Sequence, residues 1–229
     1  MLRHSRNRRH GSSLIQGVGG FVLTPLRGTG DLGVRASLIA SLLAAAALFA
    51  TPALAWQPPA DAMTALRAGG AWADVNAEPQ GVGLIHGVVD IAAPPQAVWR
   101  VMTDCRETPK LIASSDPCRV MSADPKGAWD VREQVTRGGL LMPTIHNIYR
   151  SDYQPFSLIR FHRVGGDLKL EDGSWQLLPL NGGRATRVIY TNRIATNLLA
   201  PAALVEAALK NDTPKVLINL RREVMRGAT

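Results

Sequence analysis

"VVDIAAPPQAVWRVMTD", residues 88–104, sets the plan of the chain. Val88, Val89 and Ile91 read as the end of an apolar strand that stops at Ala92-Ala93-Pro94. Pro94 and Pro95 then stand where prolines suit a helix, at its N-terminal end. Val98, Val101 and Met102 follow at helical spacing. A strand passes directly into a helix, and what comes next decides how the two are used.

Downstream, "RETPKLIAS" (106–114) reads as a second short helix with Pro109 in its first turn. Six strand-like runs follow: "CRVMSA", "AWDVREQVTR", "TIHNIYRSDY", "SLIRFHRV", "LKLEDGSWQLLPL" and "ATRVIYTNRIAT". Short turn signals separate them, among them Asp124-Pro125-Lys126-Gly127, Gly165-Gly166 and Asn181-Gly182-Gly183. Successive strands joined this tightly pair antiparallel. The last segment, 201–226, reads as helix in two pieces, with Asp212-Thr213-Pro214 as a fresh cap. Leu209, Thr213, Val216, Leu217, Leu220 and Val224 share one face, which the sheet must cover. Strand, two helices, six strands and a long helix make an α+β domain.

This order resembles the START-like, helix-grip (SRPBCC) superfamily, including the polyketide cyclase/dehydrase and coenzyme Q-binding START-domain families. The carriers are "VVDIAAPPQAVWRVMTD", "SWQLLPL" (174–180), "TRVIY" (186–190) and "TPKVLINLRREV" (213–224), with Gly173-Ser174-Trp175-Gln176-Leu177 as the Gly-x-Trp-x-Leu strand. The resemblance spans about residues 81–226. It implies a curved antiparallel sheet of about seven strands gripping the C-terminal helix, with a cavity between them. The family's ligands include lipids, quinones, sterols and polyketides, and some members are enzymes.

Alternation along strands then selects candidate cavity residues. In "AWDVREQV", Trp129, Val131, Glu133 and Val135 share a face opposite Asp130, Arg132 and Gln134. The apolar members turn Glu133 inward, where Arg150 or Arg163 would have to partner it or its pKa would rise. Glu133 is then a polar anchor or an acid/base; the plainer reading is a rim residue in a structural ion pair. Phe161, Trp175, Leu177, Val188 and Tyr190 have inward spacing too, and some must be ordinary core. Ligand contacts are expected from Trp129, Val131, Glu133, Phe161, Trp175 and Tyr190. Two apolar loops, "GGLLMP" and "TNLLAPAAL", suggest a gate of Leu140, Leu141 and Met142 facing Leu198 and Leu199; the alternative is that both seal the core.

Other chemistries lack their motifs. His86, His146 and His162 have no metal-ligand spacing. There is no G-x-S-x-G, and the paired glycines lie at strand turns rather than in a phosphate loop. No cofactor or metal is expected.

Residues 36–55, "ASLIASLLAAAALFATPALA", have the parts of a signal peptide, preceded by Arg35 and ending in Ala53-Leu54-Ala55, with cleavage between Ala55 and Trp56. The apolar core is about 12 residues, short of the ~20 that span a bilayer. Residues 1–34 read as a non-native or unstructured extension, with translation starting near Val34. Residues 56–80 read as a linker with room for a short helix, and 81–229 as the domain. The chain has 26 Lys+Arg and 18 Asp+Glu; residues 1–55 hold six arginines and one aspartate, which leaves 20 against 17. That balance does not suggest nucleic-acid binding.

Export to an oxidising compartment bears on Cys105 and Cys118, the only cysteines. They are expected to form a disulfide, worth about 3 kcal/mol in the chain-entropy model; two separate buried thiols are the alternative. The functional expectation is a periplasmic or secreted protein holding a hydrophobic small molecule such as a lipid or quinone, with transient membrane contact. The alternatives are a cyclase/dehydratase-type enzyme using a cavity acid, and a docking protein with a filled core. No motif supports an enzyme.

Overall fold

Residues 56–138, 143–196 and 202–227 are described by the structure, a computed structural model. Helix α1 (Ala60–Arg67) precedes strands β1 (Ala71–Glu78) and β2 (Val82–Ile91). Helices α2 (Pro95–Thr103) and α3 (Thr108–Leu111) follow. Strands β3 (Arg119–Ala123), β4 (Trp129–Thr136), β5 (Ile145–Gln154), β6 (Leu158–Gly166), β7 (Leu168–Leu180) and β8 (Ala185–Thr196) lead to helix α4 (Ala202–Arg226). Eight strands form one antiparallel sheet in the order β1-β2-β8-β7-β6-β5-β4-β3. This is the expected α+β helix-grip plan with one strand more.

The additional strand, β1, lies in the stretch read as a linker. Its sequence, "AWADVNAE", alternates small alanines with polar residues and so carries little apolar signal. Register with β2, from Ala71 opposite Val89 to Glu78 opposite Val82, makes it the sheet's edge. Gln80 and Gly81 turn between the strands at φ 64° and 73°. Helix α1 covers the outer face here: Ala62 and Leu66 pack on Val88 and Ile189, and Trp72 Nε1 donates to Asp61 at 2.9 Å.

The opposite, inner face receives α2 and α4. Leu217, Leu220 and Val224 of α4 are buried with Val98 of α2 against Val89, Ile91, Leu177 and Val188. Full burial of each such side chain is worth about 1.5–3 kcal/mol. Gly87 allows the close approach of α4, since a Cβ there would come within 3.0 Å of Leu217 and 3.2 Å of Thr213. Helix α4 is continuous, not two pieces: Pro214 lies inside it. The Thr213 hydroxyl donates back to the Leu209 carbonyl at 2.7 Å instead of capping a new helix. The loss of one backbone N–H is tolerated because Lys210, Asn211 and Asp212 are exposed and water can serve the freed carbonyl.

Cys105 and Cys118 form a disulfide, with Cα atoms 4.7 Å apart. It ties the turn after α2 to the start of β3. Arg132 reinforces the same junction by donating to the Thr103 carbonyl, at the last residue of α2, at 2.9 Å.

Candidate functional site

Residues directly opposite one another in an antiparallel sheet share a face. Ile85, Asn192, Gly173, Phe161, Ser151 and Asp130 are opposed in turn across β2, β8, β7, β6, β5 and β4. Gly87, Tyr190, Trp175, Ile159 and Tyr153 form the neighbouring row. Since Gly87 meets α4, both rows belong to the inner face.

That register corrects the reading of β4. Asp130 and Arg132 are the buried, inward residues, and Trp129, Val131 and Glu133 lie on the outer face. Glu133 pairs with Arg119 at 2.7 Å and approaches His146 Nδ1 at 3.6 Å; the Arg119 guanidinium holds its carboxyl below the usual range. It is the structural ion pair of the plainer reading, not an inward anchor. Arg150 lies over the Trp129 ring at 4.4 Å. Apolar alternation pointed the wrong way because the inward charges satisfy each other. Arg132 donates from Nε and Nη2 to both Asp130 oxygens at 2.8–3.0 Å, with side-chain exposures of only 8% and 10%.

Phe161, Trp175 and Tyr190 do meet on the inner face. The Trp175 and Tyr190 rings stack at 4.1 Å, Phe161 lies 6.3 Å from Tyr190, and Tyr149 meets Phe161 edge-on at 6.4 Å. Gly173 makes the arrangement fit: a Cβ there would collide with the Phe161 ring and the Thr191 carbonyl. The glycine of the Gly-x-Trp-x-Leu strand is thus a platform for an aromatic ring.

Beside this wall lies a polar group absent from the expected site: Glu171, Asn147, Asn192 and the Tyr190 hydroxyl. Asn147 Nδ2 donates to Glu171 Oε2 at 2.6 Å, and Asn192 Nδ2 donates to Tyr190 Oη at 2.9 Å and also bonds Glu171. Burial pushes the Glu171 carboxyl above its ordinary value, against the two amide bonds. Burial likewise raises Tyr190, and pushes Tyr149 up to about 12. The Oδ1 atoms of Asn147 and Asn192 are buried without a partner. Glu171 shares strand parity with Trp175, so alternation in "LEDGSW" would have found it.

Tyr149, Glu171, Trp175 and Tyr190 each keep some accessible surface, although the first two and Tyr190 lie deep in the protein. Residues of this kind line space rather than fill it. The other end of the inner face, at Val188 and Leu177, is closed by α2 and α4. Farther along, Val75, Ala77, Gly83 and Ile194 face Val205 and Leu209 of α4 across a pocket of about 230 Å³. Ile194 is directly opposite Glu171, so this pocket adjoins the polar group. The proposed gate residues Leu140, Leu141, Met142, Leu198 and Leu199 lie outside the described residues. Among the described residues no group of three or more His, Cys, Asp or Glu is placed to hold a metal.

Solved structures share the architecture. A STAR-related lipid transfer protein fragment from Xanthomonas axonopodis is 16% identical, with a TM-score of 0.58 over 68% of this chain and 94% of that one. The Zhui aromatase/cyclase from Streptomyces sp. R1128 is 15% identical, with a TM-score of 0.54 over 65% and 96%. A START superfamily protein from Mycobacterium smegmatis is 14% identical, with a TM-score of 0.54 over 62% and 97%. These likenesses are likenesses of fold. No curated protein matches the chain. The sequence model described as polyketide cyclase / dehydrase and lipid transport matches residues 91–221, from the end of β2 into α4 and more than half of the chain, and the protein belongs to that family, within the START-like helix-grip superfamily.

Proposed function

We propose that this chain is an exported binding protein that holds an apolar small molecule, such as a lipid or quinone, against the inner face of its sheet. One observation carries the reading: the stacked wall of Trp175, Tyr190 and Phe161 borders the Glu171–Asn147–Asn192 group, deep yet partly accessible. Flat aromatic surface suits an apolar body, and a few convergent polar groups suit its head. The family description, which includes lipid transport, and a lipid transfer protein among the structural neighbours support it.

Export rests on the apolar leader at residues 36–55. The Cys105–Cys118 disulfide supports an oxidising destination. Trp56, the first residue after the proposed cleavage, stacks on His86 at 4.6 Å, so a mature N-terminus would sit on the folded domain. Contact with a membrane during loading is part of the same proposal.

The test is organic extraction of protein purified from the exported fraction, followed by mass spectrometry. A stoichiometric apolar compound is the expected result; a protein that yields none and takes up no apolar probe contradicts the reading.

A second reading, a cyclase or dehydratase, is favoured by one feature. Glu171, its pKa raised by burial, sits within electrostatic reach of the Tyr190 phenol. Such a pair can hold and deliver a proton. Turnover of a poly-β-ketone probe that disappears in Glu171→Gln while binding persists would establish it.

A further inference from the structure

Strands β6 and β7 separate at the polar end of the inner face. Their ladder runs from Leu158 opposite Gln176 to His162 opposite Asp172 and stops there. The next residues, Arg163 on β6 and Glu171 on β7, share the inner face but pair with different neighbours. Arg163 is opposite Tyr149 of β5, and Glu171 is opposite Ile194 of β8. Asn147 of β5 reaches across to Glu171 at 2.6 Å. The gap adjoins the aromatic wall: Phe161 lies two residues before Arg163 on the same face and meets Tyr149 at 6.4 Å.

Two arginines point from the strands onto this face, Arg132 and Arg163, and their charges are used differently. Arg132 is held by both Asp130 oxygens and the Thr103 carbonyl. Arg163 has no carboxylate. Among the described residues its one bond runs from Nη2 to the Gly166 carbonyl at 2.9 Å, and its Nε is enclosed without an acceptor. The inward acid Glu171 is taken up by Asn147 and Asn192 instead. Part of the Arg163 surface stays accessible. A guanidinium cannot relieve its position by losing a proton. An inward one without a counter-charge therefore leaves electrostatic energy that a bound anion would recover. The unpartnered amide oxygens of Asn147 and Asn192 oppose an anion, but as uncharged dipoles against a whole charge.

We infer that the gap between β6 and β7 is an anion subsite, in which Arg163 holds the carboxylate or phosphate head of an amphiphile whose apolar body lies on the Trp175, Tyr190 and Phe161 wall. Both heads present oxygens that a guanidinium fork can take through two N–H groups. The inference rests on the binding reading above and names the head-group chemistry of that same site.

The test uses three probes of equal chain length, dodecanoate, dodecyl phosphate and dodecanol, each kept below its micellar or solubility limit near neutral pH and titrated calorimetrically into the delipidated protein. The expected result is that at least one anion binds about tenfold or more tightly than the alcohol, and the tighter of the two anions identifies the head. Arg163→Gln should bring that anion and dodecanol to within roughly threefold of each other, while Arg163→Lys, which keeps the charge, should retain part of the preference. A smaller preference in the wild-type protein, or tighter binding of dodecanol, would overturn the inference and leave the binding function standing. A preference that survives Arg163→Gln intact would overturn the assignment to Arg163. Failure of all three probes to bind would overturn both the subsite and the binding reading. The wild-type comparison needs no variant, so poor folding of Arg163→Gln would not obscure the answer.

Discussion

Trp175 and Tyr190, on adjacent strands and in direct register, stack with ring centroids 4.1 Å apart and planes inclined by 29°. Both keep part of their surface accessible. Trp175→Ala should therefore cost about 2 kcal/mol in urea denaturation, below the 3–5 typical of a fully packed aromatic. Affinity for an apolar probe should fall about tenfold in the same variant, because the lost ring is contact surface. A loss of the full packed-core size without any change in affinity would place Trp175 in the core instead.

Asp130 and Arg132 form the buried ion pair of the inner face. Asp130→Asn leaves the guanidinium buried without its counter-charge and should cost about 3–5 kcal/mol. The double replacement Asp130→Leu/Arg132→Met should cost less than Asp130→Asn alone, since no charge is left unpaired. Chemical denaturation of the variants checks the order.

Glu171 makes stability depend on pH in a direction opposite to most carboxylates. Burial raises its folded pKa above the ordinary value of 4.5, so the folded state binds its proton more tightly than the unfolded chain. Its contribution is complete below the unfolded pKa and is lost as pH rises through the raised folded pKa. Glu171→Gln should remove that part of the decline, seen as a flatter stability profile above pH 4.5.

The disulfide closes a short loop, with a sequence separation of 13. Cys105→Ser/Cys118→Ser should lose about 3 kcal/mol. Labelling of the denatured wild-type protein without reductant should detect no free thiol. Two reactive thiols per chain in protein from the exported fraction would contradict the proposed compartment.

The legible parts of this fold were those in which side-chain pattern and position agree. The Ala-Pro step at residues 92–95 marks the β2–α2 junction, and the glycine turns mark the meander. Strand β1 was obscured because its alanines give no apolar alternation. Pro214 suggested a break, yet α4 runs through it. Trp175, Tyr190 and Phe161 could be grouped from spacing alone. Glu133 misled because apolar residues on β4 face outward, where Trp129 is covered by Arg150. Nothing in the spacing of Asp130 and Arg132 reveals that they neutralise each other inside. Glu171 stands at the parity of the inward Trp175 and Asp172 at the opposite one, so alternation separates the two acids and the register agrees.

Photocrosslinking locates a bound molecule more directly than any affinity. A dodecanol analogue with a diazirine on its chain is irradiated with the protein, and the modified peptides are mapped by mass spectrometry. Adducts are expected on the inner-face residues Tyr149, Phe161, Trp175 and Tyr190. Adducts confined to outer-face residues such as Trp129, or spread without preference over the surface, would contradict binding on the inner face.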